Sequence, residues 1–219
     1  KVTDGLVRSG KFGYIPMCDE KDKFCPCCAR AGHVKPRHKN IPKKRIVTTR
    51  IGAVWHCDLA GPFKQDRLGR KYMMNLVDEA SGFVWSCPLK KKKEAAGGFN
   101  KFLSWLRDQV SDSKASGKSK IHFISVLHSD RGGEFTSGPV GNEKKRSYFD
   151  KICMNQGIKR RLTSAYSPHQ NGRAERANRT LFKTMRCALM DSGMKWKYWV
   201  DAYFVGLNAR NRIPRTGGR

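Results

Sequence analysis

Three apolar segments rich in β-branched and aromatic residues follow one another closely: AVWHCDL (53–59), KYMMNLVD (71–78) and FVWSCPL (83–89). Each has the length and composition of a strand. Gly61-Pro62 ends the first, and Ser81-Gly82 makes a tight turn between the second and third. Strands this close in sequence pair as an antiparallel meander. The period then changes. From Glu94 to about Val110, Phe99, Phe102, Leu103 and Leu106 recur at helical spacing. Residues 111–120 are rich in Ser, Lys and Gly and read as a flexible loop. HFISVL (122–127) reads as a buried strand that closes at Ser129-Asp130. Tyr148 to Asn155 reads as a short helix and Ile158 to Leu162 as a short strand. Gln170 to Met190 and Trp196 to Asn208 read as two further helices. Three strands ahead of alternating helices and strands give an α/β fold, a mixed five-stranded sheet with helices on both faces.

Charge narrows the partners. Lys and Arg number 45 against 18 Asp and Glu, a formal +27. That excess argues against an ordinary neutral metabolic enzyme and for a polyanion, nucleic acid being the commonest. Lys90 to Lys93, Lys159-Arg160-Arg161, and Arg173, Arg176, Arg179, Lys183 and Arg186 concentrate it. One charge run alone is only a solvated face. The total favours DNA, through phosphate contacts that position the backbone and read little sequence. No apolar run approaches the ~20 residues of a membrane span. The opening Lys1-Val2-Thr3-Asp4 carries neither a secretory signal nor an initiator Met, so the chain reads as a segment of a longer polyprotein.

Three zones are expected. Residues 1–34 hold the cluster Cys25-Pro26-Cys27-Cys28. Residues 35–50 carry Lys35, Arg37, Lys39, Lys43, Lys44, Arg45 and Arg50 without an acid, and read as a basic linker. Residues 51–219 form the larger domain. The thiolates of Cys25 and Cys28 have the spacing to chelate one tetrahedral Zn²⁺, with His33 and His38 available to close the site. Cys18, Cys57, Cys87, Cys153 and Cys187 are scattered and read as ordinary thiols of a reducing compartment.

Three carboxylates stand out. Asp58 ends the first strand and Asp130 ends the fourth, and strand ends of an open α/β sheet face a ligand crevice. Two carboxylates side by side repel, so such a site calls for divalent cations, and hard oxygen ligands suit Mg²⁺ or Mn²⁺. Glu175 lies early in a helix. Asn178, Arg179, Phe182 and Arg186 share its face, while Ala174, Ala177, Leu181, Met185 and Ala188 form a separate apolar stripe. By spacing alone Glu175 is equally an ion-pair partner of Arg179.

The blocks WHCDLAGPF, LHSDRGGEF and SAYSPHQNGRAERANRT occur in that order. They resemble the three motif blocks of retroviral-type integrases, most of all those of copia-type LTR retrotransposons. WVDAYFVGLNARNRIP (199–214) resembles the helix that follows in that family, and the Cys-x2-Cys resembles its pre-integrase zinc module. The resemblance implies a ribonuclease H-like fold, with a partial zinc-binding module at 1–34 and the catalytic core at 51–219. It implies that Asp58, Asp130 and Glu175 hold two catalytic Mg²⁺ or Mn²⁺ ions. The implied reactions are 3′-end processing and strand transfer into target DNA, with no protein nucleophile. Implied partners are element-end and target DNA and further copies of the chain. The implied setting is the nucleus, reached from a cytoplasmic virus-like particle. Arg131, His169, Asn178, Arg179, Lys183 and Arg186 are then expected to contact DNA. In the family a His pair precedes the two cysteines, so the zinc ligands lie either upstream of Lys1 or at His33 and His38. Two features depart from the pattern: the 44 residues 131–174 between the last two acids are a long spacer, and Arg131 stands where relatives often have Asn. The alternatives are an inactive or domesticated DNA-binding derivative and a ribonuclease H-like nuclease of another lineage.

Overall fold

A computed structural model describes residues 48–116, 122–130, 147–162 and 172–213. Five strands form one sheet: β1 (Val54–Ala60), β2 (Tyr72–Asp78), β3 (Val84–Leu89), β4 (Val126–Ser129) and β5 (Lys159–Leu162). The helices are α1 (Ala95–Ser116), α2 (Tyr148–Asn155), α3 (Gly172–Ser192) and α4 (Trp199–Arg212), with 3-10 turns at Lys92–Glu94 and Trp196–Tyr198. The spatial order is β3-β2-β1-β4-β5. β1, β2 and β3 are antiparallel neighbours, as the meander predicts, whereas β4 lies parallel to β1 and β5 parallel to β4. α1 and α2 make the crossovers that parallel pairing requires.

Local chemistry sets the turns. β1 stops at Gly61, whose φ of +124° favours glycine, and a Cβ there would lie 2.6 Å from the Lys71 carbonyl oxygen. The β2–β3 turn is built on buried Asp78. Its carboxylate accepts from the Gly52 N–H at 2.9 Å and from the Ser81 N–H and hydroxyl, each at 2.7 Å.

Strand alternation gives the sheet two different faces. On one, Trp55, Cys57, Met74, Leu76, Cys87 and Leu89 pack with Phe99, Phe102, Leu103 and Leu106 of α1 and Phe149, Ile152 and Cys153 of α2. Phe102 meets Trp55 edge-on at 4.7 Å, and Phe99 stacks on Phe149 at 4.6 Å, joining the two helices. α2 opens on a Ser147–Asp150 capping box. Asp150 also pairs with Arg160, which lies over the Phe149 ring at 5.2 Å and donates to the Ser129 hydroxyl at 3.0 Å. The other face carries His56, Asp58, Asn75, Val77, Ser86 and His128, and the start of α3 reaches it through Asn178.

The described residues divide into two units, one over 48–180 and one over 181–213. In the second, Phe182 packs on Tyr203 at 5.2 Å. Gly206 lets α4 approach α3, since a Cβ there would sit 2.9 Å from Thr184 Cγ2. None of the described helices is long and apolar enough to cross a membrane.

Three expectations need correction. Residues 111–116 continue α1 and are not loop; they contain neither Gly nor Pro, and Gly117 is the first breaker after Val110. The strand expected from His122 begins only at Val126, because residues 122–125 make single bonds to Ile51 and Ala53 rather than a ladder. Phe182, placed with Glu175 on a polar face, is buried.

Candidate active site

Parallel pairing of β1 with β4 puts His56 opposite His128. Two residues further along each strand stand Asp58 and Asp130, on the same face because side chains alternate. Neighbouring strands lie about 4.8 Å apart, so the two carboxylates become neighbours. Glu175 enters from the first turn of α3, exposed to solvent. Electrostatics register the convergence. Burial pushes Asp58 up to about 6, and the charges of Asp130 and Glu175 push the same way. Hydrogen bonds from the Leu59 N–H at 3.0 Å and the Asn178 amide at 2.5 Å oppose this. Cys57, between His56 and Asp58, points to the opposite face. Burial, then Asp58 and Asp130, raise its thiol well above the usual range, so it is a packing residue and no nucleophile.

A directed chain of hydrogen bonds orients Asn178. The Ser86 hydroxyl donates to Asn75 Oδ1 at 2.6 Å, Asn75 Nδ2 donates to Asn178 Oδ1, and Asn178 Nδ2 donates to Asp58 Oδ2. Asn75 is fully enclosed, and Ser86 and Asn178 are buried. Sequence reasoning offered Asn178 to DNA and passed over Asn75 and Ser86. The signal for those two was a polar residue in the middle of MMNLV and of VWSCP.

Below the carboxylates, His56 and His128 stack at 4.6 Å with 14° between their planes, and His56 Nε2 lies 3.3 Å from Glu79 Oε2. Burial, followed by His128, pushes His56 down to about 4, so the ring is neutral at ordinary pH. Arg173 donates to the Glu79 carbonyl at 3.0 Å. Arg179 and Arg186 are exposed on α3 and Lys183 is half-buried; at i+4, i+8 and i+11 from Glu175 they follow its side of the helix. Arg131, His169, Cys25, Cys28, His33 and His38 lie outside the described residues.

The raised pKa of Asp58 has a stability consequence. An acid whose folded pKa exceeds its unfolded value favours folding when protonated, and that advantage is lost as pH rises from 3.8 through about 6. Asp58→Asn removes this dependence. Without divalent ions, the variant should gain about 1 kcal/mol on wild type between pH 5 and pH 7.5. His56 and Asp66 also titrate, but they move both proteins alike. Denaturant melts of the pair at the two pH values measure the difference; a constant gap contradicts the assigned environment of Asp58.

No family model matches the chain. It is 29% identical over 160 residues, 73% of its length, to the retrovirus-related Pol polyprotein from transposon TNT 1-94 of Nicotiana tabacum, a copia-type element. The chain spans 11% of the length of that curated relative. Among solved structures it resembles the simian T-cell lymphotropic virus intasome in complex with PP2A regulatory subunit B56 gamma. The TM-score is 0.57 at 17% identity, over 83% of this chain and 56% of that one. It also resembles the HTLV-2 integrase catalytic core domain in complex with magnesium, in a dimeric form. That TM-score is 0.53 at 19% identity, over 78% of this chain and 93% of that one. The fold is thus the ribonuclease H-like arrangement of integrase cores, and the sequence resemblance is to a copia-type retrotransposon polyprotein.

Proposed function

We propose that this chain is the catalytic core of a copia-type retrotransposon integrase, acting on DNA by metal-dependent 3′-end processing and strand transfer. The observation that carries the reading is the convergence of Asp58, Asp130 and Glu175, felt at Asp58 as a raised pKa. Three hard-oxygen donors with mutual repulsion fit divalent cations. These three residues would hold Mg²⁺ or Mn²⁺, which when bound supplies activation of the attacking hydroxyl and charge stabilisation at the leaving oxygen. Asn178 fixes one Asp58 oxygen and the Leu59 N–H fixes the other, so the carboxylate is presented in one orientation. Glu175 brings its charge from a helix and can adjust without disturbing the sheet. Arg179, Lys183 and Arg186, with Arg131 and His169, would receive DNA phosphates. Cys25 and Cys28, with His33 and His38 or an upstream His pair, would hold Zn²⁺. The chain would act as an oligomer in the nucleus.

A strand-transfer assay with element-end DNA and Mg²⁺ tests the reading. Joined product supports an integrase, cleavage without joining points to a nuclease, and binding alone points to an inactive derivative. DNA affinity should fall steeply with salt. Arg179→Ala should flatten the slope of log K against log salt by about 0.9, the share of one phosphate contact. A slope near zero for the wild-type chain would remove the electrostatic argument for DNA.

A further inference from the structure

We propose that His56, Glu79 and His128 form a second metal site, separate from Asp58, Asp130 and Glu175, that takes one Zn²⁺-class ion through two imidazoles and one carboxylate. Each of the three residues offers a donor atom, and these atoms lie within 4.8 Å of one another. A tetrahedral ion with bonds of about 2.0–2.1 Å sets its ligand atoms about 3.3 Å apart. His56 Nε2 and Glu79 Oε2 already have that separation, 3.3 Å. His128 is half-buried and stacked on His56 at 4.6 Å, and its donor atom lies within 4.8 Å of the other two. Two imidazoles and a carboxylate suit Zn²⁺ and its neighbours in the transition series rather than Mg²⁺.

The ring of His56 is enclosed, and its contact to Glu79 is made through Nε2. His56 is 1% exposed, yet its Nδ1 has no hydrogen-bond partner among the described residues. Protein hydrogen bonds leave this ring under-compensated, and buried polar atoms are costly in that state. An ion at Nε2 would take the place of the 3.3 Å contact to Glu79 and leaves Nδ1 as it is, so the site rests on the donor geometry. The ion would also tie together β1, β4 and the end of β2, two residues below the strand ends that carry Asp58 and Asp130. Its role is therefore positional, and the ion is not part of the phosphoryl-transfer chemistry.

The test uses the whole chain carrying Cys25→Ser and Cys28→Ser, so that those thiolates do not compete. The protein is stripped of metal and titrated with Co²⁺. With excess Mg²⁺ present to occupy the three acids, one equivalent should bind, giving ligand-field absorption without thiolate charge transfer. Further Mg²⁺ should not displace it, and adding Asp58→Asn with Asp130→Asn should not remove it. Glu79→Gln and His128→Gln should each weaken it at least tenfold, and the rise in thermal midpoint on adding Zn²⁺ should vanish with them. No uptake by the folded parent, or uptake unchanged in both Gln variants, overturns the site. If those variants do not fold, X-ray absorption at the zinc edge of the parent decides: two imidazoles in the shell support the site, and fewer overturn it. None of these readouts depends on DNA joining, so failure here is distinguishable from failure of the integrase reading.

Discussion

Asp58→Asn, Asp130→Asn and Glu175→Gln should each slow metal-dependent DNA joining at least about a thousandfold while leaving the chain folded. A thousandfold corresponds to about 4 kcal/mol of transition-state stabilisation, the scale expected when an anionic ligand is removed from a two-metal site. The amides keep the shape of the acids but not their charge. Glu175 gives the sharpest test, because it is exposed and stands on α3, outside the sheet. Loss of joining in Glu175→Gln with unchanged melting can only be chemical. Near wild-type joining in Mg²⁺ by any one variant would remove that residue from the site. DNA binding should persist in all three, since the basic side chains are untouched.

Asn75→Leu should cost about 3 kcal/mol of stability and reduce joining at least tenfold in the protein that remains folded. Leu keeps the branched outline of Asn but neither accepts from Ser86 nor donates to Asn178. Each buried partner that loses such a bond costs about 1–3 kcal/mol. The catalytic loss comes through Asn178, whose amide would no longer be held with its NH₂ toward Asp58. A positioning role predicts that higher Mg²⁺ recovers part of the rate, because the ion can re-order Asp58. A rate loss that ion concentration does not touch, or a melt equal to wild type, contradicts the relay.

Element identity was readable because the segments differ in kind: short apolar runs rich in β-branched and aromatic residues in the meander, a 3.6 period in α1 and α3. The sheet order was not readable. Nothing in residues 122–130 says that this strand joins β1 rather than β3; that depends on α1 covering one face of the meander first. Boundaries failed where composition and geometry part. Ser, Asp and Lys after Val110 look like loop, yet with no Gly or Pro to stop it α1 runs on to Ser116. Ile124 is buried, but its segment has no ladder. That Asp58, Asp130 and Glu175 would come within reach of one another's charge was legible from their blocks. The polar layer beneath them was not, because its members come from five separate segments and only tertiary packing collects them. Besides the lone polar residues in MMNLV and VWSCP, its sequence trace is the repeated His-x-Asp, HCD at 56–58 and HSD at 128–130.

The parallel β1–β4 pairing also orders events during synthesis. Chain growth makes the whole meander and α1 before residue 126 exists, so Asp58 first emerges into a sheet edge with no rival charge. Only the docking of β4 places Asp130 beside it. Repulsion therefore enters at the step that completes the sheet centre, after much apolar burial is available to oppose it. Divalent ions held by the acids would then act on the closure of the sheet rather than on the meander. Nascent chains halted before and after β4 should differ in one respect above others: only the longer ones should respond to Mg²⁺ in their resistance to protease.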